Sequence, residues 1–272
     1  MTMQNFKDSL KKILPDAVVN HIRNEKDMLR RLPQDLNALT DPVRQETIKK
    51  ISKYKNAHKG ERCFVIGNGP SLKHTDLTKL RNEFTFGLNR IYLMFEALGF
   101  STSFFVSIND LVIEQSASEI QVLKMPKFVS WRSRKWLAPQ EDLFFLYTTY
   151  SGPKFARNAA GRLWEGATVT YIALQLAYYF GFSEVILIGV DHSFATAGKP
   201  NTTITSQGDD PNHFDPKYFG KGFRWQLPDL ETSEIAYAMA RRAFESDGRK
   251  VVDATIGGKL NVFPKVDYNS LF

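Results

Sequence analysis

Three asparagines, a glycine-rich turn and a histidine stand where short apolar runs of this chain end, and a second histidine lies in a later polar stretch. Arg62-Cys63-Phe64-Val65-Ile66 leads into Gly67-Asn68-Gly69-Pro70-Ser71-Leu72. This is the form of a strand-to-helix turn in which backbone and small polar side chains approach a ligand phosphate. The better-known phosphate loops do not fit. A dinucleotide fingerprint needs a small residue where Leu72 stands, and a P-loop needs Gly-Lys-Ser/Thr after a four-residue gap. Pro70 also removes one of the N–H groups such loops use. The turn points to a nucleotide site of a less common kind, with an ordinary tight turn after a buried strand as the alternative.

Other apolar runs end on residues of similar chemistry: Asn89-Arg90, Ser107-Ile108-Asn109-Asp110 and Asp191-His192-Ser193. An asparagine offers donors and an acceptor to a sugar, a base edge or a phosphate. Taken singly, each of Asn68, Asn89 and Asn109 is equally an Asx-turn or helix-cap residue, and only their joint placement raises a binding role. Gly166-Ala167-Thr168 opens an apolar helix whose first N–H groups can hold an anion, with Arg157 and Arg162 just before it. His192 and His213 are the candidates for general acid–base work, because an unperturbed imidazole titrates near neutrality. His213 lies between Asp209-Asp210 and Asp215. Asp191, Asp209 and Asp210 are candidate ligands for a divalent cation. There is no HExxH, no Cys/His zinc spacing and no GxSxG elbow.

The elements that must position these residues alternate from Arg62 onward, the pattern of an α/β fold with a mostly parallel sheet covered by helices on both faces. Strands are expected at 63–66, 84–88, 104–108, 127–131, 144–148, 184–190 and 250–254, and helices at 91–98, 110–123, 168–180 and 232–247. The 184–190 run is apolar throughout, as in a central parallel strand buried on both sides. The 168–180 helix is apolar nearly all round and should be sandwiched. Residues 192–230 show no clear period but hold Phe214, Tyr218, Phe219, Phe223 and Trp225, which reads as a lid rather than plain disorder.

The chain of 272 residues carries a net charge of +7. Residues 1–62 hold 14 Lys/Arg against 8 Asp/Glu, a net of +6, while the other 210 hold 22 against 21, a net of +1. The charge therefore belongs to residues 1–60, expected as a basic helical extension, and not to the body at 61–272, which argues against a nucleic-acid partner. In that extension Phe6, Leu10, Ile13 and Leu14 share a helical face, and Asp41-Pro42 makes an N-cap and first-turn pair. Packing against the core or in a homo-oligomer is one reading of it; attachment to an anionic membrane surface is the other. A single cysteine, Cys63, no signal-peptide core and no run approaching the roughly 18 apolar residues of a membrane span make a cytoplasmic protein the simplest expectation, peripheral at the inner membrane surface if the extension attaches there.

Val65-Ile66-Gly67-Asn68-Gly69-Pro70-Ser71-Leu72, then Phe86-Gly87-Leu88-Asn89-Arg90, then the segment Gly181-Phe182-Ser183-Glu184-Val185-Ile186-Leu187-Ile188-Gly189-Val190-Asp191 resemble two related groups over roughly residues 62–268. One is the family of the archaeal 6-hydroxymethylpterin diphosphokinase, with its bacterial surface-glycan branch. The other is the Campylobacter-type sialyltransferases, which share the Gly-Asn-Gly-Pro-Ser-Leu turn. The resemblance implies a Rossmann-like fold and a transferase that moves sugar from a nucleotide-activated donor, a CMP-sugar, to a cell-surface glycan or protein. By position it implies nucleotide or donor contacts at Gly67, Asn68, Gly69, Ser71, Asn89, Asn109, Gly166, Ala167, Thr168 and Asp191, with Gly257 and Gly258 near the base. It makes His213 the catalytic base and requires no cofactor. The sequence departs from the sialyltransferases at Leu163-Trp164-Glu165-Gly166, where they have a Ser/Thr-rich turn; Glu165 there would repel a donor carboxylate. The alternative implied by the first group is a diphosphokinase using ATP and Mg²⁺, with Asp191, Asp209 or Asp210 on the ion. A non-catalytic nucleotide-binding module is the third reading.

Overall fold

The computed structural model describes residues 39–272 throughout and, before them, Lys26, Met28, Leu29, Leu32, Pro33 and Leu36. The face expected from Phe6, Leu10, Ile13 and Leu14 lies outside the described residues. Two compact units are resolved, Met1–Glu46 and Thr47–Phe272. Helix α1 (Pro42–Ser52) starts as its sequence directs: Asp41 Oδ1 accepts from the N–H groups of Val43 and Arg44 at 2.9 and 3.2 Å.

In the larger unit the strands are β1 (Arg62–Ile66), β2 (Phe84–Leu88), β3 (Phe104–Ser107), β4 (Lys127–Ser130), β5 (Leu143–Thr149), β6 (Arg162–Trp164), β7 (Glu184–Ile188), β8 (Thr203–Thr205), β9 (Arg224–Gln226) and β10 (Lys250–Asp253). Eight of them form one sheet in the order β10-β7-β1-β2-β3-β4-β5-β6, with every neighbouring pair parallel. The chain starts at β1, steps outward to β6, and returns to lay β7 on the other side of β1. Strand order thus reverses at β1, and the crevice beyond the carboxyl ends of β1 and β7 is where such sheets bind ligands. The fold is α/β and Rossmann-like.

The returning helix, α5 (Val169–Phe180), follows the shorter helices α2 (Phe95–Leu98), α3 (Asp110–Gln115) and α4 (Ala117–Val122), and α6 (Leu230–Ser246) comes after it. Every residue of α5 from Thr170 to Phe180 is buried, as its all-round apolar sequence requires. Gly181, at φ +97°, ends it in the left-handed conformation that glycine adopts without a Cβ penalty. Beneath it lies a slab of aromatics. Phe86 pairs in register with Phe104, and Phe128 with Phe144. Phe180 and Tyr54 stack at 4.7 Å, and His58 stacks on Phe182 at 4.7 Å. Tyr54 and His58, which fall within the expected extension, thus contribute to the core of the larger unit.

Several elements differ from expectation. β6 has only three residues, too few to show a period. The single helix expected at 110–123 is two, parted at Ser116. The 91–98 helix begins as a 3₁₀ turn over Ile91–Met94. Residues 192–230 carry their own antiparallel pair, β8 with β9, and bury Phe214, Tyr218, Phe219 and Trp225. No helix among the described residues is long and apolar enough to cross a membrane.

Candidate functional site

The ends of β1, β2 and β7 are tied together by the residues singled out in the sequence. Asp191 accepts from the Ser71 backbone N–H at 3.0 Å and from Ser71 Oγ at 2.6 Å, capping the 3₁₀ turn that follows Gly69. The two glycines of the turn are demanded by this packing. A Cβ on Gly67 would lie 2.3 Å from the Gly189 carbonyl, and one on Gly69 would lie 1.8 Å from Asp191 Oδ2. The loop after β10 joins the same corner, because Lys259 N–H donates to the Asp191 carbonyl at 2.9 Å and Thr255 Oγ1 accepts from Val190 N–H at 3.1 Å. Gly257 stands at its open tip with nothing near its Cβ position, and Gly258 packs on Thr255.

Asn68 has a different character. Its Nδ2 donates to the Leu88 carbonyl at 3.0 Å, which fixes the amide orientation because a carbonyl can only accept. Its Oδ1 is buried and has no partner. A buried unsatisfied acceptor costs on the order of 1–3 kcal/mol, so it marks a place where a donor belongs. Asn89 sits in the left-handed region at φ +48° and accepts from Ser107 Oγ at 3.0 Å. Asn109 is the N-cap of α3, accepting from Leu111 and Val112 N–H at 3.0 and 3.3 Å. The three asparagines share one edge of the sheet on adjacent strands, but Asn109 is occupied as a cap.

The 192–230 segment lies directly on this edge. Phe214 N–H donates to the Asn68 carbonyl at 2.9 Å. Arg90 holds the same segment through its guanidinium, bonded to the carbonyls of Lys217 and Tyr218 and 5.1 Å from the Phe223 ring. His213 is stacked on Tyr218 at 4.0 Å, and its Nδ1 lies 2.6 Å from Asp210 Oδ2. Asp210 is buried and also accepts from Asn212 N–H at 2.8 Å and Phe219 N–H at 3.1 Å. Asp210 is the acceptor in the two backbone bonds, and with Nδ1 engaged on it, Nε2 is the ring nitrogen of His213 left for another partner. The sequence placed Asp210 among the acidic neighbours of His213 and as a metal-ligand candidate; its spacing of three from His213 was the signal for this pairing.

Gly166 and Ala167 are consecutive left-handed residues, φ +52° and +59°, that turn the chain into α5. Thr168 caps the helix, accepting from Thr170 N–H at 3.3 Å, and its hydroxyl meets Tyr237 OH at 3.3 Å. His192 links this helix start to the β7 end: its ring packs edge-on to Tyr237, and its Nε2 is 2.8 Å from Glu234. Arg157 is elsewhere. It binds Tyr178 OH and Asp247 near the far end of α5, and does not serve the helix start as expected.

A second cluster, at the ends of β3 to β6, was not anticipated. Arg132 follows β4, and its Nε is 3.0 Å from both oxygens of Asp110. Its NH1 donates to Glu165 Oε1 at 2.9 Å and Thr148 Oγ1 at 3.3 Å, and its NH2 to the Ile108 carbonyl and Tyr150 OH. Glu165 is buried, and desolvation raises its carboxyl above the usual range; Arg132 and the Thr148 hydroxyl, 2.7 Å away, oppose that rise. Glu165 is therefore not the free carboxylate expected from the sequence: its charge is answered inside the fold. The pairing joins residues 33 apart, and nothing local in the sequence announces it.

Among the described residues no three His, Cys, Asp or Glu side chains converge to hold a metal ion. Asp191 and Asp210 belong to separate hydrogen-bond sets, so they do not form the shared carboxylate site considered from the sequence. The donors present do not fit a preassembled Mg²⁺ centre.

The sequence profile of the family described as 6-hydroxymethylpterin diphosphokinase MptE-like matches residues 37–197. The fold is similar to that of a solved MAf glycosyltransferase from Magnetospirillum magneticum AMB-1, with a TM-score of 0.50 and 16% identity. That similarity covers 85% of this chain but 39% of the other, so this chain spans well under half of its length. Comparison with curated proteins gives no match.

Proposed function

Because the chain belongs to the 6-hydroxymethylpterin diphosphokinase MptE-like family, we propose that it is a transferase that moves a sugar from a CMP-sugar to a hydroxyl of a cell-surface glycan or protein. The observation that carries this reading is the Asp210–His213 pair, held against the β1 turn by the Phe214–Asn68 hydrogen bond. It is an imidazole oriented by a carboxylate, next to a turn whose Asn68 Oδ1 is an unpartnered acceptor at a strand end. The enclosed Asn68 Oδ1 takes a donor, such as a ribose hydroxyl or a base amine. A phosphate, which at neutral pH only accepts, belongs instead at the start of α5, whose first N–H groups and dipole favour negative charge.

In this reading His213 Nε2 takes the proton of the acceptor hydroxyl as its oxygen bonds to the anomeric carbon. The bond from that carbon to the phosphate oxygen breaks, and its electron pair leaves with CMP. Asp210 stabilises the imidazolium that forms. The likeness to the MAf glycosyltransferase supports the fold needed for such chemistry. The family's description favours the second reading, phosphotransfer from ATP with Mg²⁺ on Asp191, Asp209 or Asp210.

The test is thermal denaturation with CMP, CDP, UDP, GDP and ATP, each with and without Mg²⁺, since only a true ligand raises the midpoint by mass action. CMP alone should stabilise the protein. His213→Ala should keep that shift and lose about 10²–10⁴-fold in transfer rate. A shift with ATP and Mg²⁺ only would transfer the assignment to phosphotransfer, and no shift with any nucleotide would remove both.

A further inference from the structure

Met28, Leu29, Leu32, Leu36 and Leu39 take no part in the reaction proposed above, yet they present an apolar face. Ten large hydrophobic side chains stand exposed among the described residues, and five of them, Met28, Leu29, Leu32, Leu36 and Leu39, fall within residues 28–39 at 49–69% exposure. All five positions are helical. At about 100° per residue they occupy one arc of about 100°, the width of a buried helix face. Scattered exposed leucines need no explanation, but a stripe of them marks an interaction surface.

Charge decides what covers it. Residues 1–62 carry a net of +6 and the other 210 a net of +1. A second copy docking along this stripe would bring two such basic segments within a Debye length of each other. An anionic lipid surface instead attracts every basic residue that approaches it, and an amphipathic helix lies in that surface with its leucines among the acyl chains. We propose that residues 28–39 seat the protein on an anionic bilayer surface. The seating needs no spanning segment and is independent of the transfer chemistry.

The test is co-sedimentation of the full chain with vesicles of one part phosphatidylglycerol to two parts phosphatidylcholine, and with phosphatidylcholine alone, at low and high salt. Its size in solution is measured by analytical ultracentrifugation. At least tenfold more protein should bind the anionic vesicles, and salt should weaken the binding. Leu29→Gln/Leu32→Gln/Leu36→Gln should lower it at least tenfold, while Val122→Gln, at an exposed apolar residue of the larger unit, should leave it unchanged. Failure to bind anionic vesicles, equal binding to both compositions, or binding that the triple variant retains would each overturn the proposal. A dimer that the triple variant dissociates, without vesicle binding, would assign the stripe to a second copy instead.

Discussion

Arg132→Met is expected to destabilise the protein by an amount that grows with pH. Among the described residues the guanidinium is the cation paired with Glu165, whose side chain is 2% exposed. Removing one member of a fully buried pair costs about 3–5 kcal/mol. Here the Thr148 hydroxyl remains on Glu165 Oε1, and Asp110, a third exposed, can turn to water. The loss at pH 8 should therefore be about 2–4 kcal/mol. Desolvation already raises the Glu165 carboxyl, with Arg132 the largest opposing influence; without Arg132 the folded value rises further. The folded state then holds the Glu165 proton more tightly than the unfolded chain does. Stability is greatest below the ordinary glutamate pKa, falls as pH rises through the raised folded value, and is level above it. Urea denaturation of wild type and variant at pH 5 and pH 8 should thus show the smaller deficit at pH 5. Arg132→Met/Glu165→Gln should recover much of the loss at pH 8, because the unpaired charge is gone. An equal deficit at both pH values, or no recovery in the double variant, would refute the view that Arg132 serves to neutralise Glu165.

Two further outcomes follow from packing. Gly67→Ala places a methyl against the Gly189 carbonyl at 2.3 Å, so β1 and β7 must separate at the switch point; thermal unfolding should show a loss of roughly 2–4 kcal/mol. Tyr171→Phe removes a fully buried hydroxyl with no partner and should be neutral or stabilising by about 1 kcal/mol in urea denaturation.

Much of the fold was legible because its signals are local. The apolar run of 184–190 and the all-round apolar helix at 168–180 declare burial on two sides, and both are buried, although β7 lies second from the sheet edge, between β10 and β1. The run at 144–148 became β5 with one more residue at each end. β6 was not legible: three residues give no period, and pairing with Tyr147–Thr149 creates it. The aromatics of 192–230 were recognised, but the segment's β8–β9 pair brings together residues about twenty apart with no hairpin turn between them. At the site, residue type showed where polar groups gather but not how each is used. Asn68, Asn89 and Asn109 look alike in sequence, yet one has an empty acceptor, one binds a serine and one caps a helix. Arg132 was invisible because its partners come from three strand ends, those of β3, β5 and β6, while it follows β4 itself.

That difference among the asparagines yields a sharper prediction than their shared position did. Asn68 donates to Leu88 and leaves Oδ1 enclosed, so the fold bears the cost of an unmet acceptor that only a donor can relieve. Asn68→Ala removes that unmet acceptor together with one hydrogen bond, and these oppose each other at about 1 kcal/mol apiece. Stability should change little. Nucleotide binding should not be spared: losing one hydrogen bond formed in a buried site weakens affinity by roughly 10-fold. Phe214 is bonded to the Asn68 backbone, so a ligand taken at Oδ1 is expected to disturb the 192–230 segment. Bound CMP should then change proteolytic cleavage within 192–230 in the wild type, and Asn68→Ala should need about tenfold more CMP for the same change. Unaltered CMP affinity in a stably folded Asn68→Ala protein would mean that Oδ1 is an idle defect of the turn, and the nucleoside would have to be moved away from the end of β1.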